Sequence, residues 1–187
     1  MKRFALVCAA ALAFMVLAAP AFAEEGSKWD SFTLAPKLGY AYFAETSGAG
    51  KVAKRNALSL FVDFDFGGEG AGFDLAFNYN LEDPELGNKM HALGAYLGFA
   101  YRLHFGDWYP YFGIGLRGAY LMADWIDQGA EIYGRIPIGV TYYILEDLGL
   151  VLELGLGYGI TGISAPGVSF DIGHGFALDV MAGIRWP

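Results

Sequence analysis

The sequence predicts an all-β, eight-stranded antiparallel up-and-down transmembrane β-barrel, and three observations carry that expectation. Apolar residues recur at every second position in eight stretches of about ten residues or slightly more. That is the period of a strand with two unlike faces, at close to the length that a tilted membrane strand needs. No Asp, Glu, Lys or Arg falls on any of the apolar faces, while the opposite faces carry charge in nearly every stretch. Short turns alternate with longer polar connections, which describes one tight rim and one open rim.

Taken in order, the first strand spans about 32–43, with Phe32, Leu34, Pro36, Leu38, Tyr40 and Tyr42 on its apolar face, and a polar loop 44–56 follows. The second, 57–66, alternates from Leu58 to Phe66 and ends in Gly67-Gly68-Glu69-Gly70, a turn by composition. The third, 71–80, sets out Phe73, Leu75, Phe77 and Tyr79 before the loop 81–90. The fourth, 91–103, alternates from Leu93 to Leu103, and the stretch 104–110 turns the chain. The fifth, 110–122, places Phe112, Ile114, Leu116, Tyr120 and Met122 together, and the loop 123–130 follows. The sixth, 131–143, has Ile132, Ile136, Ile138, Val140 and Tyr142 and turns at 145–148. The seventh, 149–161, alternates from Leu150 to Ile160 ahead of the loop 162–173. The eighth, 174–186, presents Phe176, Leu178, Val180, Ala182, Ile184 and Trp186.

Alternation does not say which face looks outward; charge and glycine do. The face opposite the apolar one carries Lys37, Asp63, Asp65, Asp74, Arg102, Arg117, Glu131, Arg135, Glu153, Asp179 and Arg185. It also gathers glycine, from Gly39 to Gly183, against Gly118 and Gly134 on the apolar face. A water-facing strand surface has no use for so much glycine, whereas the narrow interior of an eight-stranded barrel does. Aromatics collect at strand ends, with Tyr42, Phe43, Tyr79, Trp125 and Tyr158 at one rim and Phe66, Tyr101, Trp108, Tyr109, Phe112, Tyr142 and Trp186 at the other. Such rings form interfacial girdles. The apolar face is therefore expected to meet lipid.

Residues 1–23 read as a secretory signal, with Lys2 and Arg3 as a positive start, an apolar run from Phe4 to Ala19, and Pro20-Ala21-Phe22-Ala23 as the cleavage end. The barrel domain then occupies 24–187, and ten basic face twenty acidic residues once Lys2 and Arg3 are removed. Cys8, the only cysteine, lies in the signal, so the mature chain has no thiol for a disulfide or a metal. The whole chain has a formal charge of -8, and its largest basic group is Lys51, Lys54 and Arg55, which argues against nucleic acid as a partner. No zinc, phosphate-loop or paired-carboxylate motif is present, and neither a cofactor nor a metal is expected.

Two segments resemble the small eight-stranded bacterial outer-membrane barrels of the OmpA, OmpX and OmpW type. The run Phe176 to Trp186 is similar to their final strand, alternating hydrophobics that end in an aromatic, with Ile184 and Trp186 as the assembly signal. Pro187 after the aromatic and Met181 in place of glycine depart from that pattern. Tyr109-Pro110-Tyr111-Phe112-Gly113-Ile114-Gly115 is similar to the start of their fifth strand. The resemblance implies a Gram-negative outer-membrane location, insertion by the outer-membrane assembly machinery, and outer-membrane lipids and lipopolysaccharide as neighbours. It does not imply one function, since the fold hosts structural, adhesive, transport and enzymatic members.

Four constellations are candidates for function. The inward charges, Lys37, Asp63, Asp74, Arg102, Arg117, Arg135, Glu153, Asp179 and Arg185, form either an ion pathway or a structural network that fills the lumen. Eight strands leave little room beyond side chains, which favours the network, with Glu153 close enough to Arg135 to pair. Pro36 and Pro137 lie inside strands and cannot donate to the ladder, so each is expected to mark a bulge or a lateral gap in the wall. Lys51, Lys54 and Arg55 are expected in the first loop, facing lipopolysaccharide phosphates; Glu82, Asp83, Glu85, Asp124 and Asp127 stand in later loops as candidate holders of divalent cations. Ser169, Asp171 and His174 lie together in the last loop, where a serine mechanism would need a base within hydrogen-bond reach. The expectation is a structural or surface-interaction protein without enzymatic activity. The alternatives are an OmpW-like conduit for small apolar compounds and a lipid A-modifying acyltransferase or deacylase.

Overall fold

The computed structural model describes residues 32–47, 51–84, 89–124, 126–165 and 168–186. The expected signal segment and its cleavage point, with Trp125 and Glu85, lie outside them. Eight strands follow one another: β1 (Thr33–Ser47), β2 (Lys51–Phe66), β3 (Gly70–Pro84), β4 (Met90–Arg102), β5 (Trp108–Met122), β6 (Gln128–Leu145), β7 (Leu148–Ala165) and β8 (Val168–Arg185). Each pairs antiparallel with the next, and β8 closes on β1, so order in sequence is order around the barrel. Closure satisfies the strand backbones within the wall, the condition for placing a sheet in lipid.

The distribution of side chains is the reverse of a water-soluble barrel's. Leu116 and Phe176 on the outward face are 62% and 68% exposed, while Lys37 and Glu131 on the inward face are 1% exposed. Leaving that outer surface in water would forfeit the hydrophobic contribution of every strand, whereas lipid supplies it. Glycine follows the same division. A Cβ at inward Gly39 would strike the Val180 carbonyl and come within 2.8 Å of Met181 Cα across the β1–β8 seam, whereas one at outward Gly118 would meet nothing closer than 3.9 Å.

The strands run beyond the expected bounds at one end. Residues expected in the loops 44–56, 81–90, 123–130 and 162–173 continue the ladders, with Ser47 opposite Lys51 and Ala165 opposite Val168. The connections at the two ends are consequently of similar length, and it is the strands that project. Outward hydrophobicity stops where lipid stops, but backbone pairing continues into water. We call this the distal end. The proximal end holds Thr33, Arg185 and the turns at 67–69, 103–107 and 146–147. Positive φ at Gly67 (119°), Gly70 (91°) and Gly106 (64°) lets two of those turns close tightly.

Candidate functional site

The lumen is filled by three tiers of charged side chains, delivered by the inward positions of all eight strands. At the proximal end Asp65 takes Arg102 Nη2 at 2.9 Å and Arg185 Nη2 at 2.5 Å on its two oxygens. Arg102 also pairs with Asp74, and the Thr33 hydroxyl donates to Asp65 at 3.1 Å. In the middle tier Glu153 accepts from Lys37 at 2.7 Å, from Arg135 at 2.8 Å and from the Tyr111 hydroxyl at 2.6 Å. Lys37 further pairs with Asp63, and Arg135 with Asp179. The distal tier centres on Arg55, which reaches Glu82 at 2.5 Å, Glu131 at 3.0 Å and Glu45. Arg117 meets the other oxygen of Glu131 at 2.9 Å, and Thr161 donates to Glu45 at 2.6 Å.

Among the described residues this gives six buried cations and eight buried carboxylates, each carboxylate within reach of a cation. A buried charge left alone would face a large desolvation cost, and a network in which neighbours share partners removes it. Above the distal tier, Met90, Ala92, Ala119 and Leu121 form an apolar cluster that Ala123, Ile126 and Ile163 cover. Asp74 belongs to the proximal tier and Arg117 to the distal one.

Arg55 corrects its expected place. It is 4% exposed and lies in the lumen, not in a loop facing lipopolysaccharide, because β2 begins at Lys51 and odd positions of that strand point inward. Lys54, one position away, is exposed; the Lys51 side chain lies outside the described residues. Glu82, expected in a cation-holding loop, is fully buried beside Arg55 on β3. Phe43, expected in the aromatic girdle, is also fully buried, under the guanidiniums of Arg55 (4.6 Å) and Arg117 (5.3 Å). Parity carries the signal that would have found these three and Glu45 as well. Glu45 continues the inward run 37, 39, 41, 43; Arg55 precedes 59, 61, 63; and Glu82 follows 74, 76, 78, 80.

Both prolines coincide with skipped pairs. Leu34 and Trp186 exchange two 2.9 Å backbone bonds, and the β1–β8 register resumes only at Lys37 opposite Gly183, so Ala35 and Pro36 have no β8 partner in it. Bonded pairs alternate along an antiparallel ladder, and the next one falls at Pro36, which has no N–H. The β5–β6 register likewise passes from Phe112 opposite Ile138 to Gly115 opposite Arg135, omitting Ile136 and Pro137. On their other sides Pro36 faces Val62 and Pro137 faces Gly155 in continuous ladders.

Ser169, Asp171 and His174 stand in β8, not in a loop. Alternation sends Asp171 and His174 to opposite faces, and His174 Nδ1 bonds the Tyr158 hydroxyl at 2.9 Å. His91 makes the same kind of contact with Tyr79, at 2.5 Å, and His104 stacks on Tyr109. Among the described residues no three His, Cys, Asp or Glu side chains are placed to hold a metal ion.

An apolar outside, a charged inside and a closed wall of eight strands are matched by a sequence family described as "Outer membrane protein beta-barrel domain", over residues 9–185. The chain belongs to that family. Two solved outer-membrane barrels share the fold. The outer membrane protein AlkL is 15% identical with a TM-score of 0.61, covering 88% of this chain and 93% of AlkL. Neisserial surface protein A is 15% identical with a TM-score of 0.55, covering 83% of this chain and 96% of its own. No curated protein matches the chain. As a member of this barrel family the chain carries Trp186 at its last described position, 37% exposed and bridged to Leu34, with Ile184 half-buried beside it.

Proposed function

We propose that this protein is a structural and surface-interaction component of the outer membrane whose interior is closed to diffusion. The observation that supports this is the three-tiered lumenal network, in which Arg102, Arg135 and Arg55 each join two or three carboxylates drawn from different strands. Moving any one of them aside to admit a solute would strand buried carboxylates. On this reading residues 1–23 are removed on export, the termini face the periplasm, and the distal strands stand above the membrane. Ile184 and Trp186 then serve the assembly machinery, and Lys54 is placed to meet lipopolysaccharide phosphates. The deciding measurement is conductance of the purified protein in planar bilayers. Reconstitution without stable channel openings is expected; sustained ohmic conductance would overturn the closed interior.

A second reading, passage of small apolar compounds sideways through the wall, is favoured by one specific feature, the interrupted ladders at Pro36 and Pro137. It fits the closed lumen, because such a solute need not cross the charged tiers. The lipid A-modifying reading draws less support, since His174 is engaged by Tyr158 and Asp171 lies on the other face of β8.

A further inference from the structure

Among the described residues, Arg102 alone leaves two buried guanidinium nitrogens, Nε and Nη1, without a partner. Its Nη2 is committed to Asp65 and Asp74. Arg185 grips the other oxygen of the same Asp65 carboxylate, and its Nε is unpartnered as well. The two guanidiniums therefore flank one carboxylate, and both line a cleft that opens to solvent at the proximal mouth. The Gly67-Gly68 turn forms one wall, and the rings of Tyr109 and Tyr143, edge to face at 5.0 Å, form another.

The remaining lumenal arginines are placed differently. Nε of Arg55 and Nε of Arg117 also lack partners, but these two guanidiniums cover the Phe43 ring in the tier beneath the Met90 and Leu121 cluster. Arg135 lies over Phe61 at 5.1 Å. The proximal pair lines an opening, and its spare nitrogens are buried.

A buried N–H on a charged group calls for an acceptor, and an anionic oxygen makes the shortest and strongest such bond. Asp65 and Asp74 balance the two arginines formally, so the cleft carries one further charge, that of Glu69 on the rim, whose Oε2 lies 3.6 Å from His104 Nδ1. Three spare nitrogens on two guanidiniums suit a tetrahedral oxyanion better than a planar carboxylate. We propose that the proximal mouth is a phosphate-binding site in which Arg102 and Arg185 hold one phosphate group between the turn at Gly67 and the rings of Tyr109 and Tyr143. Arg102 and Arg185 also belong to the proximal tier, so the site shares them with the closed-lumen reading, and phosphate titration tests it separately from bilayer conductance.

The test is calorimetric titration of inorganic phosphate into the full chain in neutral detergent, with ionic strength held by chloride. Saturable binding is expected. Arg102→Lys keeps the charge and the ion pairs but loses the forked donors, and it should weaken binding about tenfold or more. Gly68→Asp, in the turn and clear of the network, should abolish binding. Glu69→Gln removes an exposed opposing charge and should tighten it by about two- to fivefold. Circular dichroism checks that each variant is folded. Absence of saturable binding by the parent chain would overturn the proposal, as would Gly68→Asp and Glu69→Gln chains that both bind like the parent. Repeating the titration in phosphatidylglycerol nanodiscs separates the sources: retained binding identifies free phosphate, and binding seen only in detergent identifies a lipid headgroup already seated in the cleft.

Discussion

Arg55 Nη2 lies 3.0 Å from Glu131 Oε2, although 76 residues separate the two along the chain and the first stands in a stretch whose composition suggests a loop. The contact crosses the lumen from β2 to β6 and makes Arg55 the centre of the distal tier.

Arg55 and Lys54 should therefore behave oppositely on truncation. Arg55→Ala strands Glu45 and Glu82 and leaves Glu131 only Arg117, and losing one partner of a buried charge cluster typically costs about 3–5 kcal/mol. Lys54→Ala should stay within about 0.5 kcal/mol and instead weaken association with lipopolysaccharide. Urea unfolding in micelles, together with lipopolysaccharide pull-down, reads both effects. Equal midpoints for the two variants would remove Arg55 from the lumen.

Glu153 gathers Lys37, Arg135 and Tyr111, so Glu153→Ala should destabilise the barrel by about 3–5 kcal/mol while leaving the distal surface unchanged. An unaltered urea midpoint would mean that Glu153 faces water in an open lumen.

Pro36 and Pro137 predict local weakness in the wall. Amides of Ala35, Lys37, Ile136 and Ile138 should exchange with solvent faster than those of mid-strand neighbours. Restoring the missing donors with Pro36→Val and Pro137→Val should slow that exchange and, if solutes pass sideways, reduce uptake of apolar compounds. Exchange as slow as mid-strand and unchanged uptake would leave the prolines a structural role only.

The export reading predicts a mature chain beginning at Glu24. Intact mass of protein extracted from outer membranes should correspond to residues 24–187, and recovery of chains retaining Lys2 would contradict it.

What the sequence by itself determined is everything that follows from a period of two. Leu150 through Ile160 on one side and Glu153 with its glycine neighbours on the other place strand, face and lipid contact together, because each side chain is assigned to a face by parity alone. Eight such stretches without charge on one face leave the closed barrel as the arrangement that lets the sheet stand in lipid. Where strands end was harder to read: Glu45, Arg55 and Glu82 lie past the last lipid-facing residue, where the outward face turns polar while pairing goes on. Only the tertiary structure decided which charges meet. Parity says that Arg55, Glu82 and Glu131 all point inward, but the height at which each arrives depends on the stagger between strands and on closure of β8 onto β1. A one-residue difference in register flips a side chain to the other face, and two residues move it to another tier. The three tiers, the skipped pairs beside Pro36 and Pro137, and the spare donors of Arg102 are consequences of that stagger.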